Sequence, residues 1–220
     1  MKRILLGLSV FYFLTTNAFA VYIDFTDPIF NPGGASTITK TVEGITVTVA
    51  AVDPAGAILF WTGVGLLDAS GFMDGFGVDS SSYEADEIEG TDILKVSFSQ
   101  DVVLSQISIT DLFYEGNSRY LEQGYYSLNG GAPVLFLADP GQSPSPASNG
   151  VLTLTGFGQT PVSYITFTAP GLINDQDHEY SVAGVNVAPV PEPGTLLLLG
   201  SGLIGLGLSG RKRMSKAVKN

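Results

Sequence analysis

Apolar and polar residues alternate along most of this chain. In "GITVTVAAV", 44–52, Ile45, Val47 and Val49 fall on one side of an extended chain and Thr46 and Thr48 on the other. The same spacing recurs in "ILKVSFS" through Leu94, Val96 and Phe98, in "SQISIT" through Ile107 and Ile109, and in "SYITFT" through Ile165 and Phe167. "VLTLTG", 151–156, and "SVAGVNVA", 181–188, supply two more strands. A period of two marks strands with one buried face. Turn residues separate them: Asn31-Pro32-Gly33-Gly34, Asp53-Pro54, Asn129-Gly130-Gly131, Asp139-Pro140-Gly141 and Ala169-Pro170-Gly171. No window between 21 and 190 keeps a three-four spacing over a helix length. The pattern predicts an all-β body of about nine to eleven short strands, a single β-sandwich of jelly-roll type. Trp61, within "AILFWTG", is expected in its core.

Two segments break the alternation, one at each end. Lys2 and Arg3 precede an apolar run from Ile4 to Leu14, and Ala18-Phe19-Ala20 follows as a small-x-small cleavage site. That order predicts a secretory signal peptide over 1–20, cut by signal peptidase before Val21. At the other end, Thr195 to Ser209 holds 15 residues without a charge. As a helix it would reach about 22 Å, short for a membrane span, which takes about 20 residues. Arg211, Lys212 and Arg213 close it, and Met214 to Asn220 add Lys216 and Lys219. Cations beside a membrane segment hold their side in the cytoplasm, which leaves the body outside. The chain therefore divides into a signal peptide 1–20, a body 21–188, a C-terminal signal 189–213 and a basic tail 214–220. Within the body, "GQSPSPASNG", 141–150, reads as an excursion of one domain, and "APVPEPG", 188–194, as an extended proline spacer.

Charge sharpens this division. Between 21 and 190 stand 20 acids against Lys40, Lys95 and Arg119, a balance of −17. Such a body is repelled by phosphate backbones, so nucleic acid is excluded as a partner. There is no cysteine, which removes disulfides, thiolate metal sites and thiol nucleophiles. Neither G-x-S-x-G, H-E-x-x-H nor a P-loop occurs, and no catalytic residue is assigned. A carboxylate pair for glycan hydrolysis is defined by its separation in space, so 20 acids neither single one out nor exclude it. Gly200 to Gly205 satisfies G-x-G-x-x-G, but within the apolar segment, where neither a preceding strand nor a distant ribose-binding acid accompanies it. His178, the single histidine, stands among Asp175, Asp177 and Glu179 and is expected in solvent.

Two stretches offer binding chemistry. From Asp74 to Asp92 lie seven carboxylates, Asp74, Asp79, Glu84, Asp86, Glu87, Glu89 and Asp92, with no cation between Lys40 and Lys95. Calcium takes six to eight oxygens, which makes this a candidate calcium loop with Asp86, Glu89 and Asp92 as first-choice ligands. No EF-hand spacing is present, and the competing expectation is a solvated acidic loop. "FYEGNSRYLEQGYY", 113–126, gathers Tyr114, Tyr120, Tyr125 and Tyr126 around Arg119. Tyrosine joins a flat apolar ring to a hydroxyl, so this is the candidate glycan patch.

Pro191-Glu192-Pro193, the Leu/Gly-rich run 195–209 and Arg211-Lys212-Arg213, in that order behind an N-terminal signal, resemble the C-terminus of PEP-CTERM proteins of Gram-negative bacteria. The same C-terminal motif also goes by the label ice-binding protein C-terminal region, which does not imply ice binding. The resemblance covers about the last 30 residues. It implies recognition by an exosortase, cleavage near Pro191-Glu192-Pro193, transient anchoring in the inner membrane, and release to the envelope, outer surface or matrix. It also implies an association with exopolysaccharide or biofilm. The body resembles the uncharacterised ectodomains of such proteins through "DGFGVDSSSYEADEIEGTDILKVSFSQDV" and "HEYSVAGVNVAPVPEP", which implies no activity. The leading expectation is a non-enzymatic exported protein; the alternatives are a carbohydrate-binding module and, third, a glycan hydrolase.

Overall fold

A computed structural model describes residues 19–63, 73–80, 87–113, 122–139, 150–170, 178–190 and 199–206. Among them are eleven strands: β1 Val21–Asp24, β2 Thr37–Val42, β3 Ile45–Asp53, β4 Ile58–Thr62, β5 Gly75–Asp79, β6 Ile93–Thr110, β7 Gln123–Leu128, β8 Val134–Leu137, β9 Leu152–Thr155, β10 Pro161–Thr168 and β11 Ser181–Pro189. The all-β expectation holds. Hydrogen bonding joins every strand in one network of order β4-β5-β11-β6-β10-β7-β8, with β1 on β11, β3 and β9 on β6, and β2 on β3. This pairing does not by itself divide the strands into the two stacked sheets of a jelly roll.

β6 is the hub, and it merges two strands that the alternation separates. Its first half pairs with β3 from Val47↔Phe98 to Asp53↔Ile93, and its second half pairs with β11 from Pro189↔Val102 to Ser181↔Thr110. Ser99, Gln100 and Asp101, all exposed, mark the switch between them. β10 crosses that point with an irregularity: Val162 faces Val102, yet Tyr164 faces Ser97. No glycine or proline interrupts 99–101, and the strand runs on through the switch.

The core gathers the apolar member of each alternation. Ile45, Val47 and Val49 of β3 join Leu94 and Val96 of β6 and Ile165 and Phe167 of β10, all fully buried. Around the second half of β6 lie Ile23 of β1, Phe76 and Val78 of β5, and Val182, Val185 and Val187 of β11. Phe25, Phe30 and Phe76 meet edge to face at 5.3–6.2 Å. Such ring pairs add to the area they bury. Trp61 is buried as expected, and its Nε1–H donates to the Phe25 carbonyl at 2.6 Å. Two glycines make room for rings. A Cβ on Gly124 would meet Phe136 and Tyr180 at 2.4 Å, and one on Gly184 would meet the Tyr22 hydroxyl at 2.7 Å.

Candidate functional site

β11 carries the body straight into the C-terminal signal. Ala188 and Pro189 pair with Val103 and Val102, and the Val190 N–H donates to the Asp101 carbonyl at 3.1 Å. The first three residues of the expected spacer are therefore held by the sheet, and 191–194 lie outside the described residues. Pro189, which has no N–H to give, is tolerated as the last residue of its strand. β1 flanks the same strand, with Val21 opposite Val187. Ala20, just before β1, is exposed, so the expected signal-peptide cut and the exit of the chain lie side by side at this edge.

Ala18, Pro191, Glu192, Pro193, Arg211, Lys212 and Arg213 lie outside the described residues, as do the tail 214–220 and the loop 141–149. Of the expected membrane segment, 199–206 is helical, with Leu203, Ile204 and Leu206 exposed. Among the described residues no helix is long and apolar enough to cross a membrane. The positions 195–198 and 207–209 of that segment are outside them.

The acidic stretch is not a solvated face where the structure describes it. Asp74, Glu87, Glu89 and Asp92 are all buried. The reason is local pairing: Val78 N–H donates to the Glu87 carbonyl at 3.1 Å, and Ile88, fully buried, donates to the Tyr180 carbonyl at 2.8 Å. Ile88 thus pulls its acidic neighbours inward. A turn follows, closed by Asp92 N–H to the Glu89 carbonyl at 2.8 Å and by Glu89 N–H to Asp92 Oδ2 at 3.4 Å. Burial pushes the Asp92 carboxyl up to about 6 against the lowering effect of hydrogen bonds from Ser80 and the Glu89 backbone, and the charges of Glu89 and Asp53 raise it further. Glu89 and Asp92 therefore meet across this turn, while Asp86 lies outside the described residues. Among those residues no group of three or more His, Asp or Glu is placed to hold a metal ion.

His178 departs from expectation: it is buried, its Nε2 3.1 Å from Gln123 Nε2 at the start of β7. Tyr114, Arg119 and Tyr120 lie outside the described residues. Tyr125 and Tyr126 are neighbours on β7, and successive strand residues point to opposite faces. Tyr126 opposes Phe167, packs on the core and meets Phe157 edge to face at 5.5 Å. Its hydroxyl is raised above its ordinary pKa by that burial. Tyr125 opposes Thr168 on the other face.

That other face follows from the same alternation, but no single strand reveals it. Register sets Thr39, Thr48, Ser97 and Tyr164 in one row, and Thr37, Ala50, Lys95, Thr166 and Ser127 in the next. Thr39 and Thr48 share a hydrogen bond of 2.9 Å, and Thr41 and Thr46 one of 2.8 Å. Lys95 Nζ lies 4.2 Å from the centroid of the Tyr164 ring. The T-x-T-x-T of 37–41 and T-x-T of 46–48 are visible in the sequence. They are a signal of one hydroxyl-bearing surface once β2 and β3 are known to pair.

Comparison with known proteins places a PEP-CTERM protein-sorting motif at residues 189–213. A motif of this kind marks a protein for export and envelope-associated sorting, with an exosortase as its processing partner. No curated protein matches the chain.

Proposed function

With that sorting motif beginning at the last residue of β11, we propose that the chain is a non-enzymatic surface or matrix protein. Signal peptidase removes 1–20, and the apolar segment 195–209 holds the precursor in the inner membrane with the body outside. Exosortase then cuts near Pro191-Glu192-Pro193 and passes the body to the envelope or the extracellular matrix. The observation that carries this reading is the motif at 189–213 directly behind a folded strand. The exposed Ala20 before β1 agrees with a cut at that point. In this reading the body is a β-sandwich. One sheet holds β2, β3, the first half of β6, β10, β7 and β8; the other holds β1, β4, β5, β11, the second half of β6 and β9. Mass spectrometry of the cell-surface form tests the processing. The expected result is an N-terminus at Val21 and no peptide beyond about Thr195; recovery of Lys216 or Lys219 there would refute cleavage.

A second reading, a carbohydrate-binding module, is favoured by the open hydroxyl face of β2, β3, β6, β10 and β7. A glycan hydrolase ranks behind both, and turnover abolished by a single Asp or Glu change would raise it.

A further inference from the structure

We propose that this hydroxyl face docks an acidic polysaccharide, a chain of sugar rings bearing carboxylates, with Lys95 at the centre of the contact. The proposal rests on the matrix-associated reading and gives it a ligand class and a surface. Five strands span the face, about 19 Å across at ~4.8 Å per step. Its outward side chains in register are Thr, Ser and Tyr with Ala50 among them, and Lys95 is the one charge in its two central rows. The face carries no carboxylate in those rows, although the body as a whole holds 20 acids against three cations.

Charge decides which occupant fits. Among the described residues the Lys95 ammonium meets no carboxylate and lies instead on the Tyr164 ring. In so acidic a protein an ammonium placed on a ring rather than beside an acid is complementary to a carboxylate brought from outside. The body's net negative charge opposes any polyanion, and Asp53 stands in the next row of the face opposite Ile93, so the contact depends on Lys95 and the hydroxyls, with that opposition screened at physiological salt, where the Debye length is about 8 Å. Hydroxyls on neighbouring strands both donate and accept, which suits the hydroxyls of successive sugar rings. Ala50 on β3 and Thr166 on β10 stand opposite Lys95 on its two sides, and Thr48 lies in the next row, opposite Ser97. A neutral glycan would use the hydroxyls alone, and phosphate-bearing duplexes are too rigid and too densely charged for a face with a single cation.

Affinity electrophoresis of the full chain in detergent micelles, through gels containing alginate, dextran or no polymer, tests this. Alginate is expected to retard the protein and dextran not to, with the retardation lost as salt rises. Lys95→Gln, which keeps most of the stem, is expected to weaken alginate binding about tenfold, the size of one charge-assisted contact. Thr39→Glu, an exposed position on the face, should weaken it as well, while Thr153→Glu, exposed on β9 away from the face, should not. Matched melting curves show that each variant is folded. Equal retardation by dextran, or alginate binding unchanged in both Lys95→Gln and Thr39→Glu, would overturn the proposal. The sorting reading fails separately, on the mass of the cell-surface form, whatever the gels show.

Discussion

The two halves of β6 carry the same kind of sequence and meet opposite fates. In 93–98 apolar residues are buried while Lys95 and Ser97 stay partly open; in 107–110 every residue is buried, polar ones included. That last stretch, 107–110, is covered on both faces. The Tyr22 hydroxyl donates to Ser108 Oγ at 3.3 Å, and Thr110 Oγ donates to the Asp74 carbonyl at 2.6 Å. An alternating pattern therefore reports which side is apolar and is silent on whether the polar side reaches water. Covered hydroxyls are committed to internal partners, whereas uncovered ones remain available to a ligand.

Substitutions in the two halves should differ most in their cost to stability. Ile107→Ala, at a fully buried position in the second half, should cost about 2–5 kcal/mol, seen as a lowered denaturant midpoint. Thr110→Val keeps the shape but takes a donor from the buried Asp74 carbonyl, for a loss of about 1–3 kcal/mol. Asp92→Asn acts through pH. With its carboxyl at about 6 in the fold against 3.8 ordinarily, the folded chain binds this proton more tightly than the unfolded one. That contribution to stability is complete below about pH 3.8 and is lost as pH rises through about 6. The variant should flatten melting temperature between pH 4 and 6 and gain on the order of 1 kcal/mol at neutral pH, solvent screening included. A calcium ion at this turn would reverse the sign, so that millimolar calcium stabilises the native chain and not the variant. Thr166→Val, on the uncovered face of the first half, should change stability by no more than about 0.5 kcal/mol. A loss like that of Thr110→Val would mean that this face is covered after all.

The strands were legible where one face is apolar and the other polar: β3, both halves of β6, β9, β10 and β11 all follow their alternation. β5, "GFGVD", and β8, "VLFL", escape it, because β5 offers only Phe76 and Val78 between glycines and β8 is apolar at every position. β2, "TITKTV", alternates, but its Lys40 stands opposite Val47 on the core side. The sorting motif was legible because its order of Pro-Glu-Pro, apolar run and cations is local. The hydroxyl face was not, since its rows join residues from five strands as far apart as Thr37 and Thr166. The burial of Glu87 and Glu89 was hidden for a related reason. It depends on Ile88 reaching the backbone of Tyr180, more than ninety residues away.

The way β11 leaves the body sets how a membrane-held precursor would bear load. A tether pulling at Val190 acts on a strand that lies between β1 and β6, bonded along both edges. A pull along that strand's axis must slide it against eight register partners on β6 at once. A pull across the axis would instead open them one by one, beginning with the Val190–Asp101 bond. Drag on the body would then be resisted by the whole strand in the first case and by a single bond in the second.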